Sequence, residues 1–173
     1  MILHVIGSHY TYSEVPFGYT LQHWLGASRN MYDRLVHFSF GFLLAYPVRE
    51  MFMRMARVKG FWSYYLPLDL TLSFSALYEI IEWLTAKNVS GAAGLAFLGA
   101  QGDVWDAQKD MLMAGIGALI AMCVVAFINW EYNKDFTKEM HDSMRLPKGD
   151  KPLGEVKLAQ MLKRRSRTVR ARS

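Results

Sequence analysis

Twenty consecutive residues without a charge, Met111–Trp130 (MLMAGIGALIAMCVVAFINW), constrain this chain more than any other feature. At about 1.5 Å rise per residue, a helix of that length covers the roughly 30 Å hydrocarbon core of a bilayer. A buried helix of a soluble protein rarely stays uncharged for so long, so we read the segment as a transmembrane span. Whole-chain averages conceal it, because the apolar residues are collected in blocks. They make up 52% of the 173 residues, yet mean hydropathy is only +0.06.

Two further blocks read as spans. Leu35–Val48 is a 14-residue charge-free run flanked by Asn30–Arg34 and Arg49–Arg54. Leu66–Leu84 follows the aromatic cluster Phe61, Trp62, Tyr64 and Tyr65, which suits a membrane–water interface. Pro67 fits a first helical turn, and Asp69 reads as a helix-start acid at the positive end of the dipole. Asn88–Gln101 is apolar, glycine-rich and too short to cross, and reads as a re-entrant or packed segment. The expected fold is all-α: a polytopic transmembrane helical bundle over residues 1–133, with about three full spans plus that short segment. Residues 134–173 form a basic tail. Within it, Glu155–Lys163 suits a short amphipathic helix, and RRSRTVRARS reads as disordered.

Basic residues orient the bundle. Arg49, Arg54, Arg57 and Lys59 lie between the first two spans, and twelve more follow Trp130, so sixteen of the twenty Lys and Arg fall on one side. The positive-inside rule makes that side, and the tail, cytoplasmic. The implied partner is the lipid bilayer, with anionic headgroups as a partner for the tail. The membrane accounts for the basic charge, so no specific nucleic acid is assigned. The single cysteine, Cys123, lies inside the last span and reads as a packing residue. P-loop, Rossmann, paired CxxC and HExxH patterns do not occur, which argues against the common nucleotide and zinc-protease chemistries.

The remaining ionisable groups gather on the outer side. Asp33 and His37 are four residues apart, Glu79 and Glu82 three, and Asp103, Asp106 and Asp110 three and four. Residues at these spacings share a helix face, so each helix offers a polar stripe. With Glu14 they make seven carboxylates against Arg29, Arg34, Lys87 and Lys109. Crowded carboxylates coexist by sharing protons, pairing with arginine or lysine, or binding a cation. Oxygen-rich sites with an imidazole suit a divalent metal ion. Asp103 and Asp106 also fit a helix N-cap and first-turn acid, Arg29–Asp33–His37 an ion-pair ladder, and Glu50–Arg54 a salt bridge. Glu79 and Glu82 lie outside any first turn, and intramembrane carboxylates are functional by default.

Five ordered motifs carry a resemblance: HYTYSEVPFG at 9–18, RNMYDRLVHFSFG at 29–41, PVREMFMR at 47–54, LYEIIEW at 77–83 and GAQGDVWDAQKDM at 99–111. Together they resemble the YjdF-like family of uncharacterised bacterial inner-membrane proteins, over about residues 4–128. The resemblance implies a multi-spanning protein of the bacterial inner membrane, and adds His9 and Tyr10 as candidate lining residues. It also implies hydrophobic helices upstream of the first motif, so that this chain would be a shortened version and MILHVIG the last turns of a span.

Three functions fit these residues. The first is a metal-dependent enzyme acting on a lipid or envelope substrate. Asp33, His37, Glu79, Glu82, Asp106 and Asp110 would hold one or two cations, and Glu79, Glu82 and Asp106 would serve catalysis. Arg29, Arg34, Lys109, His9 and Tyr10 would contact substrate. The second is a structural or accessory subunit whose polar cluster locks helices together. The third is a transporter or sensor of protons or divalent cations.

Overall fold

The structure, a computed structural model, describes residues 2–88, 101–145 and 153–170. Among these residues every regular element is a helix: α1 (Ile2–His9), α2 (Pro16–Leu25), α3 (Tyr32–Met55), α4 (Trp62–Asn88), α5 (Asp106–Tyr132), α6 (Phe136–Ser143) and α7 (Leu153–Arg170). The expected short segment at 88–101 lies almost wholly outside the described residues.

Helices α3, α4 and α5 form the body, with α3 packed most extensively on α5 and α4 laid against both. Small residues let α3 and α5 approach. A Cβ on Gly41 would strike the Ala114 carbonyl, and one on Gly117 would strike the Phe38 carbonyl. Ala45, Ala114, Ala118 and Ala121 fill the rest of this seam. Such backbone-to-backbone packing is how helices associate where lipid removes the hydrophobic drive between them.

The distribution of side chains is inverted relative to a water-soluble bundle. Arg34, His37, Arg49, Ser63, Thr71, Ser75, Asp106 and Asp110 are buried, while Leu43, Phe74, Leu77, Ile81, Leu112, Leu119 and Phe127 are exposed. Helix α5 alone is both long and apolar enough to cross a membrane among the described residues, and only 28% of its most apolar window is buried. A core helix of a soluble protein would be mostly covered. Large apolar side chains stand exposed on all three helices, and contiguous exposed apolar surface marks a membrane or partner site.

Several sequence expectations need correction. Helix α3 extends beyond Leu35–Val48 at both ends, and α4 begins at Trp62, four residues before the expected start. Pro67 therefore sits inside α4 and is buried, and Asp69 belongs to its second turn rather than to a cap. The Thr71 hydroxyl donates to the Pro67 carbonyl at 2.7 Å. In the tail, α7 runs to Arg170, well past Lys163, so most of the stretch read as disordered is helical.

The turns at the two ends differ. At one end Gly60, with φ of 56°, turns the chain from α3 into α4 against the C-terminal end of α6. There the Phe61 N–H donates to Ser143 Oγ at 2.9 Å, and Trp62 Nε1 donates to the Ser143 carbonyl at 3.0 Å. At the other end α1 and α2 cap the start of α3 through Val15, Tyr32 and Val36, with Leu3 and Tyr12 against them.

Candidate functional site

The acidic stripes of α3, α4 and α5 do converge, and arginine divides them into two parts. In the first, Arg34 on α3 reaches across to the start of α5. Its Nη1 donates to the Asp106 carbonyl at 2.9 Å, and its Nη2 donates to Asp106 Oδ1 at 2.7 Å. Nη2 also lies 3.4 Å from Asp103 Oδ2, and Nη1 2.7 Å from Asp110 Oδ1. Arg29 pairs with Asp106 as well and approaches Asp103 at 3.8 Å. Of the expected Arg29–Asp33–His37 ladder, Asp33 and His37 lie 3.8 Å apart, and Arg29 adds pairing across helices to α5. Asp103 is not the N-cap of α5: that position is Trp105, without a side-chain cap. Asp103 instead accepts from Lys109 Nζ at 2.6 Å and from the Trp105 N–H at 3.0 Å. The Lys109 bond, then the Trp105 N–H, holds the Asp103 carboxyl below its ordinary range.

The loop carrying Arg29 is fixed by Asn30, which is 1% exposed. Its N–H donates to Gln101 Oε1 at 3.0 Å, Gln101 Nε2 returns a bond to the Asn30 carbonyl, and Asn30 Nδ2 donates to the Val15 carbonyl. Neither Asn30 nor Gln101 stood out in the sequence, although both lie within the quoted motifs.

The second part is less fully paired. His37, Glu79 and Asp110 place one ligand atom each within 4.8 Å of one another, and Asp33, Asp106 and Asp110 do the same, so Asp110 is common to both sets. His37 Nε2 lies 3.4 Å from Glu79 Oε1 and 3.8 Å from Asp33 Oδ1. The Glu79 side chain is only 10% exposed, and its Oε1 has no hydrogen-bond partner. Buried polar atoms are seldom left so. Glu82, one turn on, lies against the Tyr78 hydroxyl and belongs to neither set.

His37 also lines a largely apolar cleft of about 520 Å³ with Val36, Phe40, Leu44, Phe74 and Ile81. His4 and Tyr78 complete its polar end, where His4 Nδ1 lies 3.1 Å from the Tyr12 hydroxyl. The Tyr78 ring meets both imidazoles edge-on or tilted, with centroids 5.8 Å from His37 and 5.9 Å from His4. His4, Tyr12 and Tyr78 were not among the expected site residues. His9 and Tyr10 were, but they pack on each other, with centroids 4.9 Å apart, and both are exposed. They line neither the cleft nor the acidic sets.

Residues 1–131 match the family described as predicted membrane protein (DUF2238). The chain belongs to the DUF2238 family. DUF2238 membership accords with the inverted bundle and with the resemblance carried by the five motifs. The chain is also similar to the inner membrane protein YjdF of Escherichia coli strain K12, at 43% identity over 126 residues. That match takes in 72% of this chain and 60% of the relative, so the chain spans less than two thirds of the relative's length. No solved structure matches the chain. This DUF2238 chain is a membrane protein, and its site is a helix-enclosed group of one imidazole and several carboxylates beside an apolar cleft.

Proposed function

We propose that this chain is a polytopic inner-membrane protein in which α3, α4 and α5 cross the bilayer, the acidic site lies at the extracytoplasmic side, and the basic tail is cytoplasmic. We infer that His37, Glu79 and Asp110 hold a divalent cation that activates water against a lipid or envelope substrate. The observation that carries this reading is the buried Glu79 Oε1, unbonded and 3.4 Å from His37 Nε2, beside a cleft that suits an apolar chain. An imidazole with two carboxylates and open positions is a donor set that lowers the pKa of a bound water. Asp33 and Asp106 offer a second set through the shared Asp110, but there both Asp106 and Asp110 meet arginine, whereas in the first set only Asp110 does. The first set is therefore the stronger. Arg29, Arg34 and Lys109 then act chiefly by holding the start of α5, and only secondarily toward an anionic substrate.

Metal analysis of protein purified in mild detergent without chelator tests this. A stoichiometric divalent ion, lost in Glu79→Gln with the helical fold retained, is expected. The reading fails if wild-type protein carries no ion and shows no thermal stabilisation by Zn²⁺, Mn²⁺ or Mg²⁺.

A second reading, passage of protons or cations, is supported by one observation. The buried face of α4 carries Ser63, Thr71 and Ser75 in line with Glu79, and Ser75 Oγ has no partner. Small polar residues also serve close helix packing. Ion flux in proteoliposomes that falls in Ser75→Ala would favour transport over hydrolysis.

A further inference from the structure

The end of the bundle opposite the acidic site holds a second built polar site. Arg49 on α3 is 7% exposed. Its guanidinium carbon lies 4.5 Å from the Tyr64 ring centroid, and Nη2 donates to the Tyr64 hydroxyl at 3.2 Å. That hydroxyl also accepts from Asn129 Nδ2 at 2.9 Å. Arg49 Nε has no hydrogen-bond partner. No carboxylate among the described residues pairs with Arg49; the adjacent Glu50 is engaged by Arg54 at 2.9 Å. A guanidinium does not lose its proton in a protein, so burial leaves Arg49 a fixed charge that calls for an anion.

Beside it lies a cavity of about 180 Å³, lined by Arg49, Lys59, Ser63, Asn129, Asn133 and the first residue of α6, Phe136. Arginine offers a planar fork suited to phosphate oxygens, and lysine a second positive charge. One carboxylate, Glu139, also borders the cavity, and its side chain is exposed. Asp135 and Asp142 lie in the adjoining depression, with Lys59 and Lys138.

We propose that this cavity binds a phosphate-type oxyanion, carried by a lipid headgroup or present as free phosphate. Arg49 is the central contact, Lys59 stands at the mouth, and Asn129 and Asn133 supply amide donors. Glu139 is the competitor, since it is the carboxylate that lines the cavity with Arg49.

The full chain, purified in neutral detergent and in phosphatidylcholine nanodiscs with or without phosphatidic acid, supplies the test. Native mass spectrometry reads retained phosphatidic acid, and thermal shift reads the response to inorganic phosphate. Either signal in wild type is expected to weaken about tenfold in Arg49→Gln, the scale of one lost charge-assisted contact. It should weaken less in Lys59→Gln, stay unchanged in Arg54→Gln and persist or tighten in Glu139→Gln. Lipid retention without a phosphate response assigns a headgroup, and the reverse assigns free phosphate. Absence of both signals in wild type, or equal losses in Arg49→Gln and Arg54→Gln, would overturn the proposal. Should Arg49→Gln not fold, unchanged binding in Lys59→Gln overturns it instead.

Discussion

Arg34 Nη1 lies 2.7 Å from Asp110 Oδ1 and also donates to the Asp106 carbonyl, so one guanidinium ties the side chain of one α5 residue and the backbone of another to α3. Both side chains of the ion pair are almost fully enclosed, at 6% and 3% exposure. Removing Arg34 leaves Asp110 buried without its cation, whereas removing Asp110 leaves Arg34 still held by Asp106.

Arg34→Gln should therefore destabilise the protein by about 3–5 kcal/mol. Arg34→Gln combined with Asp110→Asn should cost less than the sum of the two single changes, with a coupling of roughly 0.5–3 kcal/mol. Thermal unfolding in detergent across the four proteins measures it. Strict additivity would mean the pair contributes nothing as a pair.

The α3–α5 seam tolerates no added volume. Gly41→Leu and Gly117→Leu should each cost about 1–3 kcal/mol or more through overpacking. Leu43→Ala, on an exposed face at 63%, should stay within about 0.5 kcal/mol. Equal melting temperatures for the glycine variants and wild type would show that the helices do not meet at these residues.

Metal affinity should rank the acids. Glu79→Gln and His37→Ala are expected to lose the ion. Glu82→Gln, outside both sets, should lower affinity by no more than about 10–100-fold, as supporting residues do. Asp106→Asn, held by two arginines, should reduce stability more than occupancy. Titration with a competing chelator gives the order, and an Asp106→Asn effect larger than that of Glu79→Gln would reverse the assignment of the stronger set.

Asp103 sets an acid limit. Its carboxyl is held below the ordinary value of about 3.9, so its pairing with Lys109 is present above that value and is lost as pH falls through the lower, folded one. Stability contributed by Asp103 should stay flat from neutrality down to the ordinary carboxylate range and fall only in stronger acid. Asp103→Asn should lower the melting temperature slightly at neutral pH and by less in strong acid. A difference between the two proteins that grows with acidification would contradict the sign.

The orientation proposed from basic residues has a direct check. A reporter active only in the cytoplasm, fused after Ser173, should be active, and one active only outside should be silent. Substituting Arg49, Arg54, Arg57 and Lys59 together should weaken that asymmetry.

The sequence made the helices and their acidic stripes readable because i, i+3 and i, i+4 spacings are local. Asp33 with His37, Glu79 with Glu82, and Asp106 with Asp110 were all grouped on that basis. Helix ends were less readable, since α3 and α4 continue past their apolar blocks into charged and aromatic residues, and hydropathy marks the bilayer rather than the helix. Spacing alone points Arg29 to Asp33, four positions away, and gives no sign of Asp103 and Asp106, more than seventy positions along, with which it also pairs. His4, Tyr12 and Tyr78 escaped notice because isolated imidazoles and phenols have no diagnostic spacing. Arg49 was counted as one charge among many, and only its burial against Tyr64 distinguishes it from Arg54, whose side chain is 80% exposed.

The glycine seam between α3 and α5 has a mechanical consequence. Sliding one of these helices by a turn, about 5.4 Å, would drive side chains into the facing backbone and strip Arg34 of its carboxylates. These two helices therefore behave as one beam. Helix α4 meets that beam through His37 near Glu79 at one end and through Tyr64, with Arg49 and Asn129, at the other. A widening of the site that keeps the beam intact then falls to α4, whose other end stays tied by Tyr64 to Arg49 and Asn129.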